Sequence, residues 1–399
     1  MKSFVICVAA FLAVSGAGAR AQSLSDLNIE LHGYATQGFV YTNQNNWNTT
    51  QSTEGSPAWT DVVLNVTAQP DPKLRVAVQG RYFLLGNFGD SITLDWADGD
   101  YKVNSHLGVR FGKVKTPTGL FNEVQDIDPT QVWSLLPQSV YPIASRNSLL
   151  SHYGGVAYGD FELGKRLGTV EYRAFGGDRV ISSGDGYLQP FRDVGITVPN
   201  GMTGPLFGGA LHWDTPVQGL TIGASGDVQR FSANISVPVP VAPNVAVTVS
   251  GAAHLVPMTI PSYFGKLDKG RVFLGGEYSR IPFVGWIDLR ALSGGLPLPS
   301  IDVSCDFRNW YFMGTYRFSD RFTAGAYYSS AQNAHKPLGP GRYQKDWTVS
   351  GRYNFNPFVY AKAEQHFMQG TETGFSAMTN TGGLQPNTRM SILKIGVSF

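Results

Sequence analysis

The last nine residues of the chain alternate. In Ser391-Ile392-Leu393-Lys394-Ile395-Gly396-Val397-Ser398-Phe399, the side chains of Leu393, Ile395, Val397 and Phe399 share one face, and Lys394, Gly396 and Ser398 share the other. A strand sets successive side chains on opposite faces, so this segment has an apolar and a polar side. The same period of two recurs over 27–41, 58–69, 73–84, 92–103, 107–118, 153–164, 168–177, 206–215, 219–232, 270–280, 284–293, 306–318, 321–330, 346–355, 358–368 and 389–399. It predicts sixteen strands. Seven connections are tight: Pro70-Asp71-Pro72, Asn104-Ser105-His106, Lys165-Arg166-Leu167, Pro216-Val217-Gln218, Ile281-Pro282-Phe283, Ser319-Asp320 and Asn356-Pro357. Most are built from turn-forming residues. Eight longer connections alternate with them, among them 42–57, 119–152, 178–205, 233–269, 294–305, 331–345 and 369–388. Strands of about 10 residues, apolar on one side, with short turns on one rim and long loops on the other, describe a transmembrane β-barrel that faces lipid outside and water inside. The expected fold is all-β, a closed antiparallel barrel of sixteen strands with both termini on the short-turn rim. An eighteen-strand alternative would add a hairpin from 235–241 and 245–251. Pro238 and Pro240 argue against it, because each removes a ladder donor.

Composition fits an outer coat of lipid. Charged residues are 15% of the chain, where a soluble domain carries about 25%. Gly accounts for 47 of 399 residues, well above the usual share of about 7%. Basic and acidic residues number 31 and 29, which excludes a nucleic-acid-binding protein held by a basic field. No stretch is a helical span; the longest apolar region, 237–253, is broken by Pro238, Pro240 and Pro243.

The first residues read as a signal peptide: a basic start at Met1-Lys2-Ser3, an apolar run over 4–14 and a small-x-small site at Ala19-Arg20-Ala21. Removal of 1–21 is expected to leave one outer-membrane barrel domain, 22–399. Lys2 and Arg20 leave with that segment, so the remaining basic residues balance the 29 acidic ones. Cys305 is then the single cysteine, with no intramolecular disulfide to make; packing is its expected role.

Alternation assigns faces. Leu74, Val76, Val78 and Tyr82 point outward, and Arg75, Gln79 and Arg81 inward; Trp347, Val349 and Tyr353 point outward, and Thr348, Ser350 and Arg352 inward. The same reading turns Arg110, Glu171, Arg173, Asp227, Glu277, Asp288, Arg290, Arg317, Lys362, Glu364 and Lys394 inward. A charge on the lipid face costs about 2–4 kcal/mol at mid-bilayer, so the lumen is the cheaper side for each. Aromatic residues near the strand ends, among them Tyr278, Tyr316, Phe318, Trp347, Tyr353 and Phe358, are expected to form interfacial girdles.

Sixteen strands enclose an aqueous channel. The loop of about 119–152 is long, and its centre, Val132-Trp133-Ser134-Leu135-Leu136-Pro137, is too apolar to hang in water. It is expected to fold inward and narrow the pore. The expected pore-lining set is therefore Arg75, Arg81, Arg110, Lys115, Arg173, Arg290, Arg352 and Lys362 on the wall, with Glu123, Asp126, Asp128 and Arg146 on the loop.

The pattern resembles the trimeric sixteen-stranded porins of Gram-negative outer membranes. The run Phe111-Gly112-Lys113-Val114-Lys115-Thr116-Pro117-Thr118-Gly119-Leu120-Phe121-Asn122, with Leu136-Pro137-Gln138-Ser139-Val140-Tyr141 after it, is similar to porin-like proteins near the phosphate-selective porins. The resemblance implies passive diffusion of small hydrophilic solutes through a homotrimer in outer-membrane lipid. It also marks Phe399 as a signal read by the barrel-assembly machinery. The basic ladder of the phosphate-selective members is matched here by acids, so only a weak anion preference is expected.

No motif points to an enzyme: G-x-S-x-G, H-E-x-x-H and a phosphate-binding Gly-rich loop are all missing. The seven His are scattered, and His366 beside Glu364 reads as a polar wall residue rather than a base. No cofactor, metal or nucleic-acid partner is expected. Two other functions remain open to the sequence, a fatty-acid-type transporter barrel and an adhesin or surface anchor. Liposome swelling with sugars separates a porin from both.

Overall fold

The structure, a computed structural model, describes residues 27–188, 191–192, 195–242, 245–287 and 301–399. The expected signal segment and the predicted lumenal residues Asp288 and Arg290 lie outside the described residues. Twenty strands form one antiparallel sheet, and sixteen of them close the barrel wall. The wall strands are β1 (Glu30–Thr42), β2 (Ser56–Asp71), β3 (Leu74–Leu85), β4 (Phe88–Lys102), β5 (Gly108–Lys115), β6 (Ser151–Glu162), β7 (Thr169–Ile181), β8 (Met202–Asp214), β9 (Leu220–Gln229), β12 (Met258–Lys269), β13 (Val272–Phe283), β16 (Cys305–Arg317), β17 (Phe322–Asn333), β18 (Tyr343–Asn354), β19 (Val359–Gly370) and β20 (Asn387–Ser398). The other four, β10 (Ser232–Ala242), β11 (Val245–Leu255), β14 (Gly285–Ile287) and β15 (Ile301–Asp302), extend the wall on the long-loop rim.

Closure comes from β1, which pairs with β2 on one side and β20 on the other, from Tyr34 opposite Ser398 to Thr42 opposite Met390. The ring therefore leaves no free sheet edge. Gly33 and Phe399 exchange backbone hydrogen bonds of 3.1 and 3.0 Å across the seam. The Phe399 ring fills the space a Cβ at position 33 would need.

The two faces separate as alternation predicts. Val76, Val78, Trp347 and Val349 are 40–60% exposed on the outside, while Gln79, Arg81, Thr348 and Ser350 are at most 5% exposed within. Two aromatic rows run round the outer face. One carries Tyr278, Trp310, Tyr328, Trp347 and Phe367, with Tyr328 lying 5.2 Å from Trp310 and 4.8 Å from Trp347. The other carries Tyr316, Phe318, Phe322, Tyr353 and Phe355 near the short-turn rim. Among the described residues no helix is long and apolar enough to cross a membrane.

Three features differ from the sequence reading. The count of sixteen holds, but one strand is exchanged for another: 258–269, read as loop, is β12, and its connection to β13 is Gly270-Arg271 rather than Ile281-Pro282-Phe283. Instead of a strand over 284–293, the structure has the short β14, and 288–293 are not described. Pro282, expected in a tight turn, and Pro261 both lie inside wall strands. Both sit where β12 and β13 have parted, their mutual pairing starting at Ser262 opposite Ser279, so the ladder between them loses no bond. Second, the loop expected over 233–269 holds a hairpin, β10–β11, despite Pro238 and Pro240. It stands above β9 and β12 and bridges from β8 to β14. Third, β3 and β4 are joined by only Gly86-Asn87 on the long-loop rim, with Gly86 at φ +59°.

Candidate functional site: the pore constriction

Residues 116–150 leave β5, fold into the barrel and return at β6. Asn122 holds the two ends together, its side-chain amide donating to the carbonyls of Thr116, Leu149 and Leu150 at 2.7, 3.1 and 3.4 Å. Gly119 has φ +62°, and a Cβ there would strike the Glu277 carboxylate and the Tyr141 hydroxyl. Three successive N–H groups, starting with that of Gly119, are taken by side chains. Gly119 donates to Ser225 Oγ (2.9 Å), Leu120 to Glu277 (3.2 Å) and Phe121 to the Tyr141 hydroxyl (2.8 Å). Glu277 also accepts from Tyr141, Tyr311 and Ser262 at 2.5, 3.0 and 2.6 Å. The Gly119-Leu120-Phe121-Asn122 end of the porin-like run is thus the root that aims the loop at the opposite wall.

The apolar centre of the loop lies on β17–β20. Trp133 and Leu135 are buried, and Trp133 meets Tyr327 edge-on at 5.0 Å. Glu364 accepts from the N–H groups of Ser134 (2.8 Å) and Leu135 (3.1 Å). His366, wholly buried, sits between Glu364 (2.9 Å) and Asp346 (2.8 Å). It is a wall residue that holds the carboxylate capping the loop. Lys362 donates to the carbonyls of Asp128 and Trp133, both at 2.9 Å. The Asp128 carboxylate meets Lys362 at 3.0 Å, Lys394 at 2.5 Å and the Tyr360 hydroxyl at 2.7 Å. Burial alone would raise its pKa; the two ammonium groups outweigh burial and hold it well below the carboxylate range.

The first strands take the rest of the loop. Asp126 accepts from Gln79 (2.9 Å), Trp96 (3.1 Å) and Lys115 (2.8 Å). Arg146 forms a two-pronged pair with Asp95 at 2.9 and 2.8 Å. Asp95 is the extra residue of a bulge, with Gln79 opposite Trp96 but Gly80 opposite Leu94, and the bulge turns its side chain toward the loop. Arg81 pairs with Asp61 in the same two-pronged way, at 2.7 and 2.8 Å. A crevice runs between loop and wall past Tyr34, Asp61, Arg81, Asp128, Arg146 and Lys394.

The predicted site residues therefore fall into two groups. Arg81, Asp126, Asp128, Arg146 and Lys362 are 5% exposed or less, or enclosed by partners, in the loop–wall contact. Arg75, Arg110, Glu123 and Arg173 keep 20–34% of their side chains exposed. These four join one belt. Arg75 meets Asp98 (3.0 Å) and Asp100 (3.6 Å), Arg110 meets Asp100 (3.0 Å) and Glu123 (3.2 Å), and Arg173 meets Glu123 (3.2 Å) and Glu171 (3.1 Å). Lys115 is partly buried, donating to Asp126 and to the carbonyl of Glu123. Arg352 donates to the loop carbonyls of Pro129 and Gln131. The sequence reading missed Asp61, Asp95, Asp98 and Asp100. Alternation marks Asp98 and Asp100 as inward together; nothing in the pattern marks the bulge at Asp95.

No protein-family profile and no curated protein matches the sequence. Solved structures do match the fold. The outer membrane protein OmpT of Vibrio cholerae superposes with a TM-score of 0.55 at 11% identity, covering 96% of this chain and all of that one. OmpF of Salmonella typhi gives 0.56 at 13% over 94% of this chain and 99% of that one. The anion-selective porin from Comamonas acidovorans gives 0.55 at 11% over 93% and 99%. The chain thus has the fold of the bacterial outer-membrane porins. Its apolar outer wall, bordered by aromatic rows, is built for that membrane.

Proposed function

We propose that the protein is a general porin, an outer-membrane channel for passive diffusion of small hydrophilic solutes, exported by a signal peptide over 1–21. The observation that carries the reading is the placement of 116–150. The loop lies inside a closed barrel, fixed to β17–β20 on one side and to the first strands on the other, and its Glu123 joins a partly exposed belt of charge on β3, β4, β5 and β7. That arrangement narrows a passage without closing it with an apolar plug.

Arg75, Arg110 and Arg173 supply the positive charges of the belt, and Asp98, Asp100, Glu123 and Glu171, interleaved with them, the negative ones. Each guanidinium is already paired, so the field on a passing ion is small and is screened over about 8 Å at physiological salt. Selectivity between ions is accordingly weak, and the arginines supply whatever anion preference exists. Proteoliposomes are expected to swell in small sugars; absence of swelling would sink the porin reading. In a salt gradient, Arg110→Gln with Arg173→Gln should move the reversal potential toward cations. An unchanged potential removes the belt from the pore.

We also propose a homotrimer. Its support is the contrast between the aromatic outer face of β13 and β16–β19 and the smoother outer face of β2 and β3.

A further inference from the structure

We propose that a small monovalent cation of sodium size ties the constriction loop to the barrel wall, bound in a gap between the loop, β17 and β18. The tie is independent of which solute passes the loop. Six residues from three parts of the chain line the gap: Gln138 and Ser139 of the loop, Ser329 on β17, Gln344 and Asp346 on β18, and Thr373 of the connection between β19 and β20. The space suits about one water molecule or one ion stripped of its water. All six side chains bring an oxygen, and none brings a positive charge.

Charge points to the occupant. Asp346 is buried. Its Oδ2 lies 2.8 Å from His366 Nδ1, while among the described residues its Oδ1 has no hydrogen-bond partner. His366 Nε2 lies 2.9 Å from Glu364 on the other side. Only the imidazolium has two N–H donors, so one positive charge serves two carboxylates. Glu364 is further satisfied by the N–H groups of Ser134 and Leu135. Lys362, the next inward cation on β19, is taken up by Asp128 at 3.0 Å. One negative charge is left over, and Asp346 Oδ1 is where it stands. A buried charge without a counter-charge is costly. A monovalent cation cancels it; a water molecule does not, and a divalent ion would leave an excess of the opposite sign.

The neutral oxygens are set up to complete the shell. Gln138 Nε2 donates to the carbonyls of Leu136 (2.7 Å) and Tyr141 (3.1 Å), which fixes the orientation of its amide. Gln138 Oε1 accepts from the N–H of Ile143, and Gln344 Oε1 from that of Thr373. Each amide oxygen has two lone pairs, so each keeps one. Ser139 donates to the Trp310 carbonyl (3.3 Å) and keeps its acceptor capacity. An ion held here joins loop, wall and outer connection at one point, a few residues from the Glu364 cap on Ser134 and Leu135.

The test compares hydrogen exchange over 133–141 in the purified full barrel in mild detergent, in sodium chloride and in tetramethylammonium chloride at the same pH and ionic strength. Tetramethylammonium is too large for the gap. If opening of the loop tip releases the ion, protection rises with sodium by the factor 1 + [Na+]/Kd. A rise of about threefold or more is expected, equivalent to a Kd no weaker than about half the sodium concentration. Ser329→Ala with Thr373→Val removes two oxygens and leaves Asp346, His366 and Glu364 in place. This variant is expected to lose the sodium effect while keeping the wild-type protection in tetramethylammonium, with heat-modifiable migration on a gel confirming its fold. Equal protection of the wild type in the two salts would mean that the gap holds water alone and would overturn the proposal. A sodium effect that survives in the folded variant would overturn it as well.

Discussion

Arg81 shows how charge on an inner wall differs from charge in a pore. Alternation places it correctly inside the barrel, but its side chain is buried against Asp61 and is shielded from the lumen. A buried pair is weak evidence of stability, yet stranding one partner is costly, about 3–5 kcal/mol. Arg81→Gln should therefore lower the temperature of heat-induced unfolding, and the double change Asp61→Asn with Arg81→Gln should recover most of the loss. Equal unfolding temperatures for the single variant and the wild type would refute the pairing. Gly119 carries a second residue-scale prediction. A left-handed backbone costs an L residue about 1–2 kcal/mol, and the new methyl would also displace Glu277 and Tyr141. Gly119→Ala is expected to loosen the loop root, seen as faster proteolysis within 116–150 and a larger single-channel conductance; neither effect would argue that the root is not what holds the loop. At this scale the sequence told which side of the wall a residue faces, because that depends on parity alone. It could not tell which lumenal charges are covered, because the covering group lies elsewhere in the chain: Asp61 on the neighbouring strand for Arg81, and Ser134 of the loop, 230 residues away, for Glu364.

Among the elements, the wall strands of strict alternation are legible in the sequence, and two elements with proline inside them, β12 and the β10–β11 hairpin, are not. β20 and β18 read clearly, while β12, with Pro261, was taken for loop and the β10–β11 hairpin was passed over. The hairpin earns its stability from packing that local propensity does not reveal. Its inner face, Ala233, Ile235 and Val237, joins Ile181, Leu188, Ile196, Val198, Met202 and Phe231 in one buried apolar cluster above the barrel. Asp185 couples this cap to the constriction loop. Its carboxylate accepts from the N–H of Tyr187 (2.8 Å) and the hydroxyl of Ser148 (3.3 Å), and Gly186 lies against Ala144. Burial pushes the Asp185 carboxyl up to about 6, against the smaller opposing effects of those two donors and of Arg192. The folded cap therefore holds its proton more tightly than the unfolded segment does. Its contribution is greatest below the ordinary carboxylate pKa, declines as pH rises toward about 6 and is constant above that, a loss of about 3 kcal/mol for a shift of this size. The hydrogen-exchange protection factors over 182–188 and 195–201, with intrinsic base catalysis divided out, should accordingly be higher at pH 4 than at pH 7.5, and Asp185→Asn should flatten the difference. A pH profile identical in wild type and variant would assign the effect elsewhere.

The whole barrel has two unlike sides. On β13 and β16–β19 the outer face is aromatic, with Trp310, Tyr328, Trp347 and Phe367 in one row. On β2–β4 the middle of the outer face carries Val62, Leu64, Val76 and Val78, each 39–47% exposed, together with Gly80, beside which a Cβ would meet nothing. Bulky amphipathic rings suit a lipid interface; a smooth surface of small and branched residues suits close approach of another protein wall. Gly33 and Ala35 on β1 lie beside this smoother face, whereas Ala361 and Ala363 stand on β19, on the aromatic side. A face of this kind is legible only once strands are arranged in a ring, since each strand alone is as apolar as its neighbours. If three copies meet through β1–β4, a charge at Val78 would be driven into a protein interface, whereas the same charge at Val349 would face lipid. An arginine on the lipid face costs about 2–4 kcal/mol at mid-bilayer, which a closed barrel can carry. Val78→Arg is therefore expected to run as a folded monomer by native mass in mild detergent, and Val349→Arg as a trimer. A trimeric Val78→Arg protein, a monomeric Val349→Arg protein or a wild type that is itself monomeric would each defeat the assignment of β1–β4 as the contact face.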